Sequence, residues 1–320
     1  MKKLAILSVA AMGILIGAYA AQASSDVVLT FTNTNNATVT NTSEVDAETG
    51  DNEQEADQDL EGGEIVTGNA QAGSSIENDV NYNNTDVEVQ NASDVTATVD
   101  NVNNAVAINL SDIWSSSGGN EQEADQDVLG ARIQTGSVVG VSSIRNGKTG
   151  LFGLGFNANI AKFVIGTVNP SCACLSVASD VELTVDNDNY AEVTNTTEVD
   201  AESGDNEQEA EQDLGGCTSC GTDGAEIVTG DVQAGSSIEN DVNYNETDGE
   251  IVAGSDITAT VTNDNTTDPL NSSEVEGNSG DNEQEADQDL TGGSQNTGNV
   301  TAVDSIINII NRVLNKFKSG

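Results

Sequence analysis

Residues 50–59 read GDNEQEADQD, and near-copies stand at residues 119–127 (GNEQEADQD), 204–213 (GDNEQEAEQD) and 280–289 (GDNEQEADQD). In an extended chain alternate residues face opposite ways, so Asn52, Gln54, Ala56, Gln58 and Leu60 share one side and Glu53, Glu55, Asp57, Asp59 and Glu61 the other. The carboxylates must take the wet side. The inner side then carries mostly amides, which suits stacked identical strands whose side-chain amides form ladders. The phrase is therefore expected to be one rung of a stacked β structure.

Working outward, a second phrase recurs as SDVVLTFTN from Ser25, SDVTATVDN from Ser93, SDVELTVDN from Ser179 and SDITATVTN from Ser255, each at the same distance before Asn52, Asn120, Asn206 and Asn282. Thr-Gly pairs ending at Gly68, Gly136, Gly230 and Gly298 continue the register, as do Ile76, Ile144, Ile238 and Ile306, and then Asn78, Asn146, Asn240 and Asn308. Units thus begin at 25, 93, 179 and 255. Insertions fall at about 147–178 in the second unit and about 215–224 in the third.

Period-two alternation in SEVDAET (43–49), SIENDVNY (75–82, with Ile76, Asn78, Val80 and Tyr82 on one face) and SDVTATVDN (93–101) predicts strands. Turn residues stand at Gly50-Asp51, Gly62-Gly63, Gly68-Asn69 and Asn83-Asn84-Thr85-Asp86. Their spacing of about 18 residues predicts four coils per unit, with the extra length of the second unit as one more coil. Acidic phrases of successive units would then lie about 19 Å apart, beyond the Debye length of about 8 Å. The expected fold is all-β, a parallel β-solenoid (β-helix) of four internal repeats with a short C-terminal helix. Four tandem β-sandwiches would call for linkers and a bulky aromatic core, whereas this chain has one Trp.

Residues 1–23 open with Lys2 and Lys3, run through LAILSVAAMGILIGAYA and end in Ala21-Gln22-Ala23, the pattern of a cleaved signal peptide; an uncleaved membrane anchor is the alternative. The solenoid would span 24–302, with no transmembrane segment after cleavage. Residues 303–320 place Val303, Ile306, Ile307, Ile310, Val313, Leu314 and Phe317 at helical spacing, which predicts an amphipathic helix capping the last coil.

The chain carries 54 acidic against 9 basic residues, a formal charge of −45, and no His. Nucleic acid is excluded as a partner by the sign of the charge; cations or cationic polymers suit it. Lack of His removes the usual general base and metal ligand. Paired carboxylates are plentiful, as a polysaccharide-active β-helix enzyme requires, but the same phrase in every unit suits a surface and not a single cleft. No enzymatic activity is expected.

Cys172, Cys174, Cys217 and Cys220 lie in the insertions. In an exported chain disulfides are expected, with the pairing open; a four-cysteine metal site is the alternative. Residues 147–178 lack a carboxylate and carry Phe152, Phe156 and Phe163, so they are expected either to pack over the solenoid's flank or to form a patch for self-association. Repelling carboxylates at Asp57, Asp59, Glu61, Asp125, Asp127, Glu211, Asp213, Asp287 and Asp289 are candidate calcium ligands, although no EF-hand or β-roll pattern contains them. Sequons include Asn36, Asn41, Asn91 and Asn195.

The Gly, Asn, Ala and Gln placement in GDNEQEADQ, repeated with stacked alternation after a signal peptide, resembles the curlin-type repeats of bacterial surface fibres. The resemblance covers about ten residues per unit; here Asn52 and Ala56 are spaced wider, the acidic load is heavier and the units are longer. It implies fibre formation. The expected function is a secreted or surface-displayed, non-enzymatic repeat protein with a structural or adhesive role, self-association included. The alternative is a secreted acidic protein that binds calcium.

Overall fold

A computed structural model describes residues 2–9, 15–22, 26–90, 94–147, 156–169, 174–176, 180–215, 224–253, 256–291 and 293–319. Within the repeats every paired strand but one short hairpin has its partner in a neighbouring repeat, parallel and in register. Val27–Glu48 lies along Asp94–Ser116, which lies along Asp180–Glu202, which lies along Ile257–Asn278. The chain is a parallel β-solenoid in which one unit makes one coil, or rung.

Each rung has three parts. A long outbound strand, Val27–Glu48 in rung 1, leads to a tip of short strands, Glu53–Ala56, Leu60–Glu61 and Glu64–Val66. The chain then comes back along Ala70–Asn78 and Tyr82–Gln90. The return strands of the later rungs are Val138–Asn146 with Phe156–Ile165, then Val232–Ile251, then Val300–Ser319. Outbound and return strands stack into two sheets whose inner faces meet.

That interior is thin and layered. Val45, Ala70, Ile113, Val138, Val199 and Val232 form an apolar layer near the tip, Val39, Val80, Ala107, Phe156, Val193 and Val242 a middle layer, and Val27, Val87, Val95, Phe163, Leu183 and Val185 a far layer. Small β-branched residues and Ala allow the sheets to approach, so bulky aromatics are scarcely needed. Buried Asn separates the layers.

Alternation changes phase once per rung. Inward positions run 70, 72, 74, 76 and 78, and then 83, 85, 87 and 89. The switch occurs at Asn81, whose φ of 57° is matched by Asn157, Asn243 and Asn311 at 58°, 59° and 55°. Asn tolerates this left-handed conformation better than other residues with a Cβ. The expected common face of Ile76 through Tyr82 therefore holds only as far as Val80.

Three expectations are corrected. The coil is the whole unit and not about 18 residues, because Asn83 to Asp86 lie within the strand Tyr82–Gln90 and not in a turn. The extra length of the second unit is accordingly no added coil: the offset between neighbouring rungs grows from Asn78–Asn146 to Tyr82–Ala158, both between rungs 1 and 2, and again from there to Asp94–Asp180, between rungs 2 and 3. It enters at two places, between Asn146 and Ala158 and between Ile165 and Asp180, while Phe156 and Phe163, expected on a flank or patch, are core at 0% and 1% exposure. Phe152 lies outside the described residues.

The third correction is the C-terminus: Val300–Ser319 is a strand in register with Val232–Ile251, and no helix occurs among the described residues. Ile306, Ile307, Ile309, Ile310 and Val313 are β-branched and favour strand, and the exposed edge of rung 3 supplies a backbone partner for each. Arg312 holds the segment down, with Nη2 donating to Asp241 Oδ1 at 2.9 Å and Oδ2 at 2.7 Å and the guanidinium 4.9 Å from the Tyr244 ring. Among the described residues no strand pairs with the far edge of this last rung.

The backbone of Lys2–Val9 and Leu15–Gln22 lies parallel to the rung 1 return strand. The Cys172, Cys217 and Cys220 positions and the side chain of Cys174 lie outside the described residues, as does Asn91.

Candidate functional site at the acidic tip

The turn into the tip is built on glycine. A Cβ at Gly50, Gly118 or Gly204 would overlap the carbonyl oxygen of the glycine one rung on, so the stack closes only without side chains there. Hydroxyls cinch the neck: Thr49, Ser117, Ser203 and Ser279 each donate 2.8 Å to the carbonyls of Gly68, Gly136, Gly230 and Gly298. Thr67 donates 3.1 Å to Ser117 O in the next rung, which explains the recurring Thr-Gly.

The inner side of the tip is as the alternation predicted. Asn52 donates to Asn120 at 2.8 Å, Asn120 to Asn206 at 2.7 Å and Asn206 to Asn282 at 2.6 Å. A glutamine ladder runs beside it, Gln122 to Gln54 and Gln208 to Gln122 both at 2.8 Å, and Gln284 to Gln208 at 2.7 Å. Below them Ala124, Val128, Ala210 and Leu214 form a small apolar core. Gln58 departs from the expected side: the chain bends after Ala56 and leaves it exposed.

The outer side is a set of carboxylate columns. Glu53, Glu121, Glu207 and Glu283 stack in register, and so do Glu55, Glu123, Glu209 and Glu285. Asp57, Asp125, Glu211 and Asp287 continue the alignment, with backbone bonds of 3.1–3.2 Å from Asp125, Glu211 and Asp287 to the Ala one rung back. Asp213 pairs with Asp289, and Asp213 N donates 3.2 Å to Asp127 Oδ1. Glu61 stands alone, because its column continues as Leu129, Gly215 and Thr291.

Adjacent members are one strand spacing apart, about 4.8 Å, inside the Debye length of about 8 Å, which overturns the expected wide separation. The electrostatic consequence is visible in Glu123, whose carboxyl is pushed above its usual range by desolvation and by the charges of Glu209 and Glu55 on either side. Glu207 is raised for the same reasons, with Glu121 the largest charge contribution. The columns are open rows: among the described residues no group of three or more Asp, Glu or Cys converges to hold a metal ion. A shallow groove beside them is lined by Gly119, Asn120, Asp205, Glu207, Asp281 and Glu283.

Basic residues occupy rungs where they meet acids above and below. Arg132 lies between Glu64 and Glu226, with contacts of 3.7 and 3.1 Å. Arg145 lies between Glu77 and Glu239. Asp86, Lys162, Asp248 and Lys316 alternate in sign through all four rungs. The sequence reading missed these columns, since they become visible only once the 68-residue offset is taken as one rung and the loops are subtracted.

Of the sequons, Asn41 and Asn195 are buried ladder members at 2% and 0% exposure, unavailable to a glycan in the folded chain, whereas Asn36 is on the outer face. No helix of the described residues is long and apolar enough to cross a membrane. Comparison with protein-family models, with curated proteins and with solved structures found no match to this chain.

Proposed function

We propose that this is a secreted or cell-surface structural protein without enzymatic activity, a rigid β-stack that serves as a fibre or adhesive element. The observation that carries the reading is the uniformity of the stack. The same amide ladders and acidic columns pass through every rung, so the chemistry is spread along an axis and not gathered at one cleft. A lysine-poor, acid-rich outer face keeps such stacks from merging sideways through like-charge repulsion. Export rests on the leader-like residues 1–23. The deciding experiment is fractionation of cells making the full chain. Protein outside the cytoplasm, starting near Ser24, protease-resistant and β-rich supports the reading; cytoplasmic protein that keeps residues 1–23 sinks it.

A second reading is favoured by the raised carboxyls of Glu123 and Glu207. Columns of like charge gain from divalent cations, so calcium would associate along Asp57, Asp125, Glu211 and Asp287 and their neighbours as a row of shared counterions.

A further inference from the structure

The buried asparagines have a direction, opposite to that of the glutamine ladder at the tip. In the three inward-facing ladders of the outbound sheet Nδ2 donates toward the C-terminal rung: Asn33 to Asn101 at 2.6 Å, Asn101 to Asn187 at 2.7 Å, Asn187 to Asn263 at 2.8 Å. The Asn35, Asn103, Asn189, Asn265 series and the Asn41, Asn109, Asn195, Asn271 series run the same way. The two ends of the stack are therefore chemically opposite. At rung 1, Asn33 Oδ1 and Asn41 Oδ1 are buried acceptors without a partner. At rung 4 the oxygens of Asn263, Asn265 and Asn271 accept from rung 3, which turns their amide nitrogens toward the open face, where Asn271 Nδ2 also donates across to Asn308 Oδ1 at 3.2 Å.

We infer that the C-terminal face of rung 4 docks on the N-terminal face of rung 1 of a second copy of this chain, head to tail and in the register already used between rungs. The inference rests on the structural reading above and names its interface. Asn263, Asn265 and Asn271 then donate to Asn33, Asn35 and Asn41 of the next copy, and Ile306 and Asn308 fall on its Ile76 and Asn78. The exposed residues Val300, Val303, Ile306, Ile307, Ile310 and Val313, each 42–57% exposed, gain a partner rung. Charge agrees as well, because Lys316 ends the alternating column and the next member would be Asp86 of the second copy.

One feature opposes the contact. Inward residues send their N–H toward the next rung, as Val181 does to Asp256 O at 2.9 Å, and Pro269, opposite Val193, has no N–H to send. The junction lacks one backbone bond and is the weakest step of the axis, yet the remaining outward donors of that strand and the whole Pro-free return strand are available. Residues 2–9 and 15–22 lie on the rung 1 return strand, so removal of the leader frees the rest of that face.

The test uses the exported chain and the triple variant N263D/N265D/N271D. Each Asp keeps the oxygen that accepts from rung 3, at 2.8, 2.6 and 2.7 Å in the present structure, and replaces the outward donor with an acceptor facing an acceptor. Expected are filaments with an axial repeat of about 19 Å, four spacings of about 4.8 Å, for the unsubstituted chain, and at least a tenfold slower assembly for the variant at neutral pH. Added at a few per cent, the variant should cap growing filaments, because its N-terminal face is intact. Below about pH 4, near the ordinary Asp pKa, the protonated carboxyls become donors and assembly should return, which separates interface loss from misfolding. Filaments from the variant at the unsubstituted rate, or particles joined with two-fold symmetry, would overturn the interface while leaving the structural reading in place. An exported chain that stays single at all concentrations overturns the interface too; failure of export overturns the functional reading independently.

Discussion

Asn109 donates from Nδ2 to Asn195 Oδ1 one rung on at 2.8 Å, and the same nitrogen donates across the core to Asn146 Oδ1 at 3.2 Å. Its Oδ1 accepts from Asn41 at 2.8 Å and from Asn78 at 2.9 Å. Both donors and both lone pairs of one buried amide are used, so the ladders tie rungs together and sheets together at once. Asn109→Asp removes both donations and buries a charge. It should destabilise the fold by about 3 kcal/mol or more, read as a lower urea midpoint with unchanged slope. A loss below about 1 kcal/mol would mean that the ladder is ornamental to stability.

The glycine column makes a sharper steric prediction. Gly118→Ala puts a methyl group into the carbonyl of Gly204, whereas Gly62→Ala meets nothing within 4 Å and incurs only the strain of its φ of 65°. Gly118→Ala should lower stability by several kcal/mol and Gly62→Ala by about 1 kcal/mol. Thermal denaturation of the two variants side by side checks the ranking.

Acid should stabilise this protein where it weakens most others. Glu123, Glu207 and Glu202 have carboxyls raised above 4.5, in each case by desolvation first and by neighbouring carboxylates second. The folded form binds these protons more tightly than the unfolded form, so stability falls as pH rises through the raised values and is fully regained below 4.5. Melting temperature should climb as pH is lowered through that window. Sodium chloride at neutral pH should raise it too by screening the columns; a flat profile in both titrations would show the columns to be energetically silent.

Calcium should raise the melting temperature beyond sodium chloride of equal ionic strength if ions occupy the columns. Selective binding at one hundred times Kd adds about 2.7 kcal/mol. Replacing Asp57, Asp59, Asp125, Asp127, Glu211, Asp213, Asp287 and Asp289 by their amides should remove that increment and keep the β content. Equal melting in the two salts retires the divalent-ion reading.

Much of the fold was legible because the repeat is written in both polarity and register. Asn52 and Gln54 face inward and Glu53 and Glu55 outward as alternation requires, and the amide ladders follow from identical inward residues one unit apart. The coil length was misread because Gly50 and Gly68 mark the neck of one tip, where Thr49 reaches Gly68 O, and not successive corners of a small coil. The C-terminal helix was misread for a related reason: Ile306 and Asn308 keep the repeat register that Ile238 and Asn240 set, and that long-range match outweighs the local helical spacing. The direction of the amides and the sign-alternating columns have no signature along the chain, since they arise between residues 68 to 94 positions apart.

One coil per unit also sets how the chain must find its structure. Among the described residues no long strand has a neighbour in its own rung to zip with; Val27 waits for Val95 and Val95 for Val181. Closing a loop of that size costs conformational entropy before a single ladder bond rewards it, so the first pair of rungs is a slow nucleus. Each later rung then finds a ready-made template edge, and growth outruns initiation. Refolding should therefore show a lag that vanishes when preformed stacks are supplied, making the shape of the protein something inherited from an existing edge as much as encoded along the chain.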